Sequence, residues 1–119
     1  MTLSCLIVDD SEWFLHAASK RLEQDGLRVE GLAATSADAL AQLSASRPDV
    51  VLVDIFLGGE SGVELARRLV ADRHRVILIS TYAEADVAQL LAGVPDASFL
   101  HKSELSAETV RRLVNGRAA

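Results

Sequence analysis

Residues 49–70 read DVVLVDIFLGGESGVELARRLV. The first part, DVVLV at 49–53, is a short apolar and β-branched run without polar alternation, the pattern of a strand buried on both faces of a parallel sheet. It stops at Asp54. Gly58 and Gly59 then make a permissive loop. Ser61, with Glu64 three residues on, forms a capping-box pattern. Beyond it Gly62, Leu65, Ala66, Leu69 and Val70 share one helical stripe, while Glu64, Arg67, Arg68 and Asp72 face away. Buried strand, loop and amphipathic helix make one βα unit.

The unit recurs on both sides. Apolar runs lie at 3–8 (LSCLIV), 75–79 (RVILI) and 97–100 (ASFL), with a weaker candidate at 27–33. Helical spacing follows at 13–24, 37–46, 62–72, 84–92 and 107–115. Ser36 and Ser106 stand as N-caps of the second and last helices. Leu105 and Val110 are spaced for a hydrophobic staple, and Gly116 offers a C-terminal stop. The order is (βα)5. An α/β fold follows, a doubly wound five-stranded parallel sheet covered on both faces by helices. No internal repeat, low-complexity tract or linker interrupts it, so residues 1–119 read as a single domain.

Composition narrows the class. A chain of 119 residues, half apolar and 24% charged, is one domain's worth and too apolar to be disordered. The single cysteine, Cys5, permits no internal disulfide and reads as a small core residue. No apolar stretch reaches the roughly 18 residues that a membrane span needs, and Met1 opens no signal-peptide pattern. A net charge of −5 argues against direct nucleic-acid contact by this domain. A cytoplasmic location is the expectation.

Ligands of an open parallel sheet sit at the carboxyl ends of its strands. Read there in order, the residues are Asp9 and Asp10, Asp54, Ser80 and Thr81, then His101 and Lys102. Three carboxylates, a hydroxyl and an ammonium thus converge on one edge. Carboxylates so crowded raise each other's pKa unless a cation intervenes. Lys102 offsets part of that charge, and a hard divalent cation such as Mg2+ would offset more.

These residues resemble the receiver domain of two-component response regulators along the whole chain. The likeness rests on LIVDDS, on VLVD ending in Asp54, on Gly62 eight residues later, on ILIST and on FLHKS. The separations of 45, 26 and 22 residues between Asp9, Asp54, Ser80 and Lys102 also match that family. The resemblance implies the flavodoxin-like receiver fold. It implies Asp54 as the phosphoacceptor, with Mg2+ held by Asp10 directly, Asp9 largely through water, Asp54 and the Phe56 carbonyl. Lys102 and Ser80 would meet phosphoryl oxygens, and Ser80 and Phe99 would form the switch. A histidine kinase would be the phosphodonor. Helix four, strand five and helix five would present the state to an output domain or downstream protein, with homodimerisation compatible. The sequence style is that of receivers followed by a helix-turn-helix output, so the chain is either free-standing or the N-terminal receiver of a DNA-binding transcriptional regulator. Its own chemistry would be limited to its phosphorylation and dephosphorylation.

Departures from the family pattern carry expectations too. Leu57 and Gly58 replace a frequent Met-Pro, and Lys102–Ser103 replaces Lys-Pro, where the family has a cis bond that costs about 3–4 kcal/mol without proline. Phe56 and Tyr82 are bulky beside the path of hydrolytic water, so loss of the phosphoryl group should be slow. His16, His74 and His101 show no ligand spacing. Trp13 reads as surface or helix packing, with a lid over the metal as the alternative, and the Arg67–Arg68 and Arg111–Arg112 pairs read as solvated helix faces. Two competing functions stand beside the switch. A pseudo-receiver interaction module is favoured by Lys102–Ser103 and opposed by the intact Asp9, Asp10, Asp54, Ser80 and Lys102. An aspartyl phosphatase would carry a DxD pattern, whereas Ile55 and Phe56 follow Asp54.

Overall fold

The computed structural model describes residues 2–116. Five strands, β1 (Ser4–Val8), β2 (Arg28–Ala33), β3 (Val50–Asp54), β4 (Val76–Ser80) and β5 (Ser98–His101), form one sheet in the order β2-β1-β3-β4-β5. All four pairings are parallel. The helices are α1 (Glu12–Gln24), α2 (Ser36–Ala45), α3 (Gly62–Ala71), α4 (Ala88–Leu91) and α5 (Ala107–Gly116).

Alternation along each strand divides the core into two layers. Cys5, Ile7, Val50, Leu52, Ile77 and Ile79 meet Leu15, Leu22, Val110 and Val114 of α1 and α5. Their neighbours Leu6, Val8, Val51, Val53 and Leu78 meet Ala39, Leu65 and Leu69 of α2 and α3 on the opposite face. Successive side chains of a strand point to opposite faces, so an unbroken apolar run serves both layers at once. Cys5 lies wholly inside, and burial pushes its thiol pKa up to about 12, so it is a small core residue.

β3, β4 and β5 end in Asp54, Ser80 and His101, the polar residues read at those strand ends, each one residue beyond its apolar run. The register explains this, because Asp54 pairs with Ile79 and Ser80 pairs with His101. Other local expectations need correcting. The expected helix at 84–92 is instead a 3-10 turn, Glu84–Val87, followed by the short α4. No side chain caps the turn at Ala83, and only Val87 within the two segments is buried. Thr35, not Ser36, caps α2, accepting from the Asp38 amide at 3.1 Å. The Ser36 amide donates instead to Glu60 at 3.0 Å, tying α2 to the loop after β3. Ser106 does cap α5, accepting from the Thr109 amide at 3.1 Å. Gly116 belongs to α5, and residues 117–119 lie outside the described part.

The order reverses between β1 and β3. Chains leave these two adjacent strands toward opposite faces, which opens a crevice at their carboxyl ends.

Candidate functional site

That crevice collects the acidic residues. Val8 of β1 is in register with Val53 of β3, so Asp9 follows directly beside Asp54. Asp9, Asp10 and Asp54 each offer a carboxylate oxygen, and these atoms lie within 4.8 Å of one another. Asp9 is fully buried and Asp54 nearly so, whereas Asp10 is exposed.

Local backbone holds each carboxylate. Asp9 Oδ1 accepts from the Ser11 amide at 2.9 Å, and Ser11 Oγ in turn accepts from the Phe14 amide at 3.2 Å, capping α1. Asp54 Oδ1 accepts from the Phe56 amide at 3.0 Å. The loop that follows turns back through a two-residue ribbon, Phe56–Leu57 against Glu60–Ser61. Gly58 takes φ +64° in that turn, beside Asp10. Gly62 then lets α3 start directly against the end of β3. A Cβ there would stand 1.7 Å from the Asp54 carbonyl oxygen, so no other residue fits unshifted.

Lys102 closes the site. Its Nζ lies 2.6 Å from Asp9 Oδ2 and 2.9 Å from Asp54 Oδ2. Phe14 supports the ammonium from the side, with Nζ 4.2 Å from its ring centroid. Burial pushes the Lys102 pKa down, but its contacts with Asp9 and Asp54 outweigh this and the net direction is upward. Burial pushes the Asp54 carboxyl up, and the negative charge of Asp9 adds to it. Lys102 and the Phe56 amide pull it down without cancelling the rise.

One ammonium faces three carboxylates, which leaves uncompensated negative charge in a partly buried cleft. Asp9 Oδ2 is sealed from solvent and, though close to Lys102, makes no well-aligned hydrogen bond. An all-oxygen donor set with spare acceptor capacity fits a hard divalent cation.

Ser80, the last residue of β4, is buried, and its Oγ accepts from the Tyr82 amide at 2.9 Å. That contact occupies a lone pair and leaves the hydroxyl proton to be donated elsewhere. Phe99 of β5 is in register with Leu78 and packs, half-buried, on the apolar layer under α2 and α3. Phe56 and Tyr82 are both exposed at the rim and meet edge to face at 5.6 Å between centroids. Trp13 stands 80% exposed on α1, in keeping with a surface residue.

Sequence reading missed the contacts of four residues. Phe14 carries no pattern that foretells its place beside Lys102. Arg67 is more than a solvated residue, since it pairs with Glu64 and its Nε donates to the Gly93 carbonyl at 3.2 Å. Arg111 likewise donates to the Asp25 carbonyl at 3.1 Å. The fourth is His101, which bonds both Thr81 and Ser103. Its one visible signal was adjacency to Lys102. The peptide bonds of the described residues contain no cis linkage, so Lys102–Ser103 is trans.

The sequence pattern of the response regulator receiver domain matches residues 5–114. Transcriptional regulatory protein DesR of Bacillus subtilis (strain 168) is 29% identical over 119 residues, which is 97% of this chain and 60% of DesR. Transcriptional regulatory protein CseB of Streptomyces coelicolor is 34% identical over 89 residues, 75% of this chain and 37% of CseB. The chain therefore spans 60% of one relative's length and 37% of the other's. The solved signal receiver domain of a modulated diguanylate cyclase from Desulfovibrio desulfuricans G20 is similar over 98% of this chain and 93% of its own, with TM-score 0.81 and 30% identity.

Proposed function

The chain belongs to the response regulator receiver domain family, and on that premise we propose that it is a phosphorylation-controlled switch with Asp54 as phosphoacceptor. One observation carries the proposal. Three carboxylates lie within 4.8 Å of one another, and Lys102 bridges the two buried ones at 2.6 and 2.9 Å. A structural ion pair needs one carboxylate per ammonium, and the surplus here is suited to a cation and a phosphoryl group.

A carboxylate oxygen of Asp54 attacks the phosphorus of a phosphohistidine on a histidine kinase. The O–P bond forms as the P–N bond breaks, and the leaving imidazole nitrogen keeps the electron pair and gains a proton from solvent. Mg2+, held by Asp9, Asp10, Asp54 and the Phe56 carbonyl, would screen the repulsion between acceptor and phosphoryl oxygens. Lys102 exchanges its contact with Asp54 for a phosphoryl oxygen, remaining anchored by Asp9. The Ser80 hydroxyl donates to another, and Phe99 follows the rearrangement of β4. The changed surface of α4, β5 and α5 is read by an output domain, a downstream protein or a second copy. That relatives such as DesR and CseB are transcriptional regulatory proteins supports an output in transcription, with DNA contact made outside this acidic domain. The described residues contain no helix long and apolar enough to cross a membrane, in keeping with a cytoplasmic role.

The test is intact mass after incubation with Mg2+ and acetyl phosphate. Wild type gains one phosphoryl group and Asp54→Ala gains none. No gain in the wild type, with a kinase donor either, identifies a pseudo-receiver interaction module, and turnover of many donor equivalents identifies a phosphatase. Phe56 and Tyr82, paired at the rim, hinder in-line water. Phe56→Asn should therefore shorten the half-life of the phosphorylated protein about tenfold, followed by mass spectrometry over time. An unchanged half-life removes the shielding role.

A further inference from the structure

His101 sits between the two chain segments that carry Ser80 and Lys102. It ends β5 directly beside Ser80, with which it is in register. Its ring reaches both ways. Nε2 lies 2.9 Å from the Thr81 carbonyl oxygen, and Nδ1 accepts from the Ser103 amide at 3.1 Å, with Ser103 Oγ 2.8 Å away.

The partners dictate the proton's position. A carbonyl oxygen only accepts, so Nε2 carries the hydrogen. An amide N–H only donates, so Nδ1 is bare. A single neutral tautomer thus ties the end of β4 to the 3-10 turn Lys102–Glu104. The Ser103 N–H used here is a donor that a proline at that place would lack. Lys102 is the residue enclosed between His101 and its acceptor bond to Ser103, and the same turn closes through the Leu105 amide on the Lys102 carbonyl at 3.2 Å.

We propose that His101 is a positioning residue, a neutral imidazole clamp that sets the Lys102 turn and fastens it to the Ser80–Thr81 strand end. It touches no reacting atom. Its action is to hold the ammonium where it bridges Asp9 and Asp54, and to make the Lys102 turn move together with the β4 end. The consequence for phosphorylation rests on the function proposed above, but the clamp itself does not.

Side-chain chemistry separates the two halves of the clamp. Asn at 101 offers Oδ1 where Nδ1 stands, which keeps the bond to the Ser103 amide and gives up the reach to Thr81. Gln offers Nε2 near the ring Nε2, which keeps Thr81 and gives up Ser103. Phe keeps the volume and loses both.

The first readout needs no phosphorylation. In the 15N-labelled chain, imidazole NMR should show a bare Nδ1 and a protonated Nε2 at His101. Ser103 amide exchange should quicken about tenfold or more in His101→Phe and far less in His101→Asn. The Lys102 Nζ resonance should shift in His101→Phe as the ammonium loses its fixed place. A mixture of tautomers, or Ser103 exchange and Lys102 Nζ unchanged in His101→Phe, overturns the clamp. If the Phe variant does not fold, the Asn and Gln variants give the same reading one bond at a time. The second readout is the rate of mass gain from acetyl phosphate with Mg2+. It should fall about tenfold in His101→Phe and be partly restored by Asn and by Gln. Equal rates in all four proteins overturn the positioning role. A wild type that takes no phosphoryl group defeats the proposed function while the NMR readout still decides the clamp.

Discussion

The junctions after β3 and β4 are topological equals and physical opposites. Each follows a buried parallel strand whose last residue belongs to the candidate site, Asp54 in one and Ser80 in the other. After β3, Ser61 Oγ caps α3 at 3.2 Å, and Gly62, Val63, Leu65, Ala66 and Leu69 are buried. After β4, no side chain caps Ala83, the chain makes a 3-10 turn, and α4 buries nothing of its own. Val87 before it and Val94 after it are the buried apolar anchors of this segment. A buried aliphatic side chain contributes roughly 1.5–3 kcal/mol. The α3 segment therefore buries more aliphatic surface than the segment around α4 and is held more firmly. On the proposed function this contrast would place a rigid acceptor beside a soft readout, because a bistable element must come from the weakly held end of the stability range.

Gly62→Ala should break the comparison most severely. Its Cβ would collide with backbone rather than with a yielding side-chain tip, so a loss of about 3 kcal/mol is expected in urea unfolding. The end of β3 must shift, so on the proposed function mass gain from acetyl phosphate should fall as well.

The next largest effect is electrostatic and confined to the rigid junction. Burial raises the Asp54 pKa above its ordinary 3.8, so the folded state holds this proton more tightly than the unfolded state. Its contribution is present below that value and is lost as pH rises through the folded pKa. Asp54→Asn, measured without added divalent cation, should therefore melt higher than wild type at pH 7. The two should converge as pH falls below about 4. A gap that widens toward acid would contradict the sign.

The smallest effects sharpen the contrast from both sides. Ser61→Ala removes a working cap and should cost about 1 kcal/mol. Ala83→Asp supplies one where none exists and should add a few tenths of a kcal/mol, slowing amide exchange across residues 84–92. If α3 amides exchanged as fast as those of α4 in the wild type, the distinction between the junctions would fail.

Much of this was legible in residue order. Strand and helix identity is a local property here, since runs such as VVLV and stripes such as Gly62, Leu65, Ala66 and Leu69 declare their periods within a few residues. The convergence of Asp9, Asp10, Asp54 and Lys102 was legible because parallel strands present all their carboxyl ends on one edge. The fourth helix was not. Its apolar residues fit a helical period, but without a cap, and with little of it buried, the backbone relaxes into a 3-10 turn and one α-helical turn.

By itself the sequence determined the α/β architecture, the βα order and the set of polar residues gathered at one sheet edge. These follow from hydrophobic periodicity and chain connectivity, which act along the chain. Tertiary structure alone decided that Lys102 bridges Asp9 and Asp54 beside Phe14, and that His101 joins Thr81 to Ser103. Most of those contacts cross between strands far apart in sequence, and their geometry depends on register and side-chain direction, which no local pattern encodes.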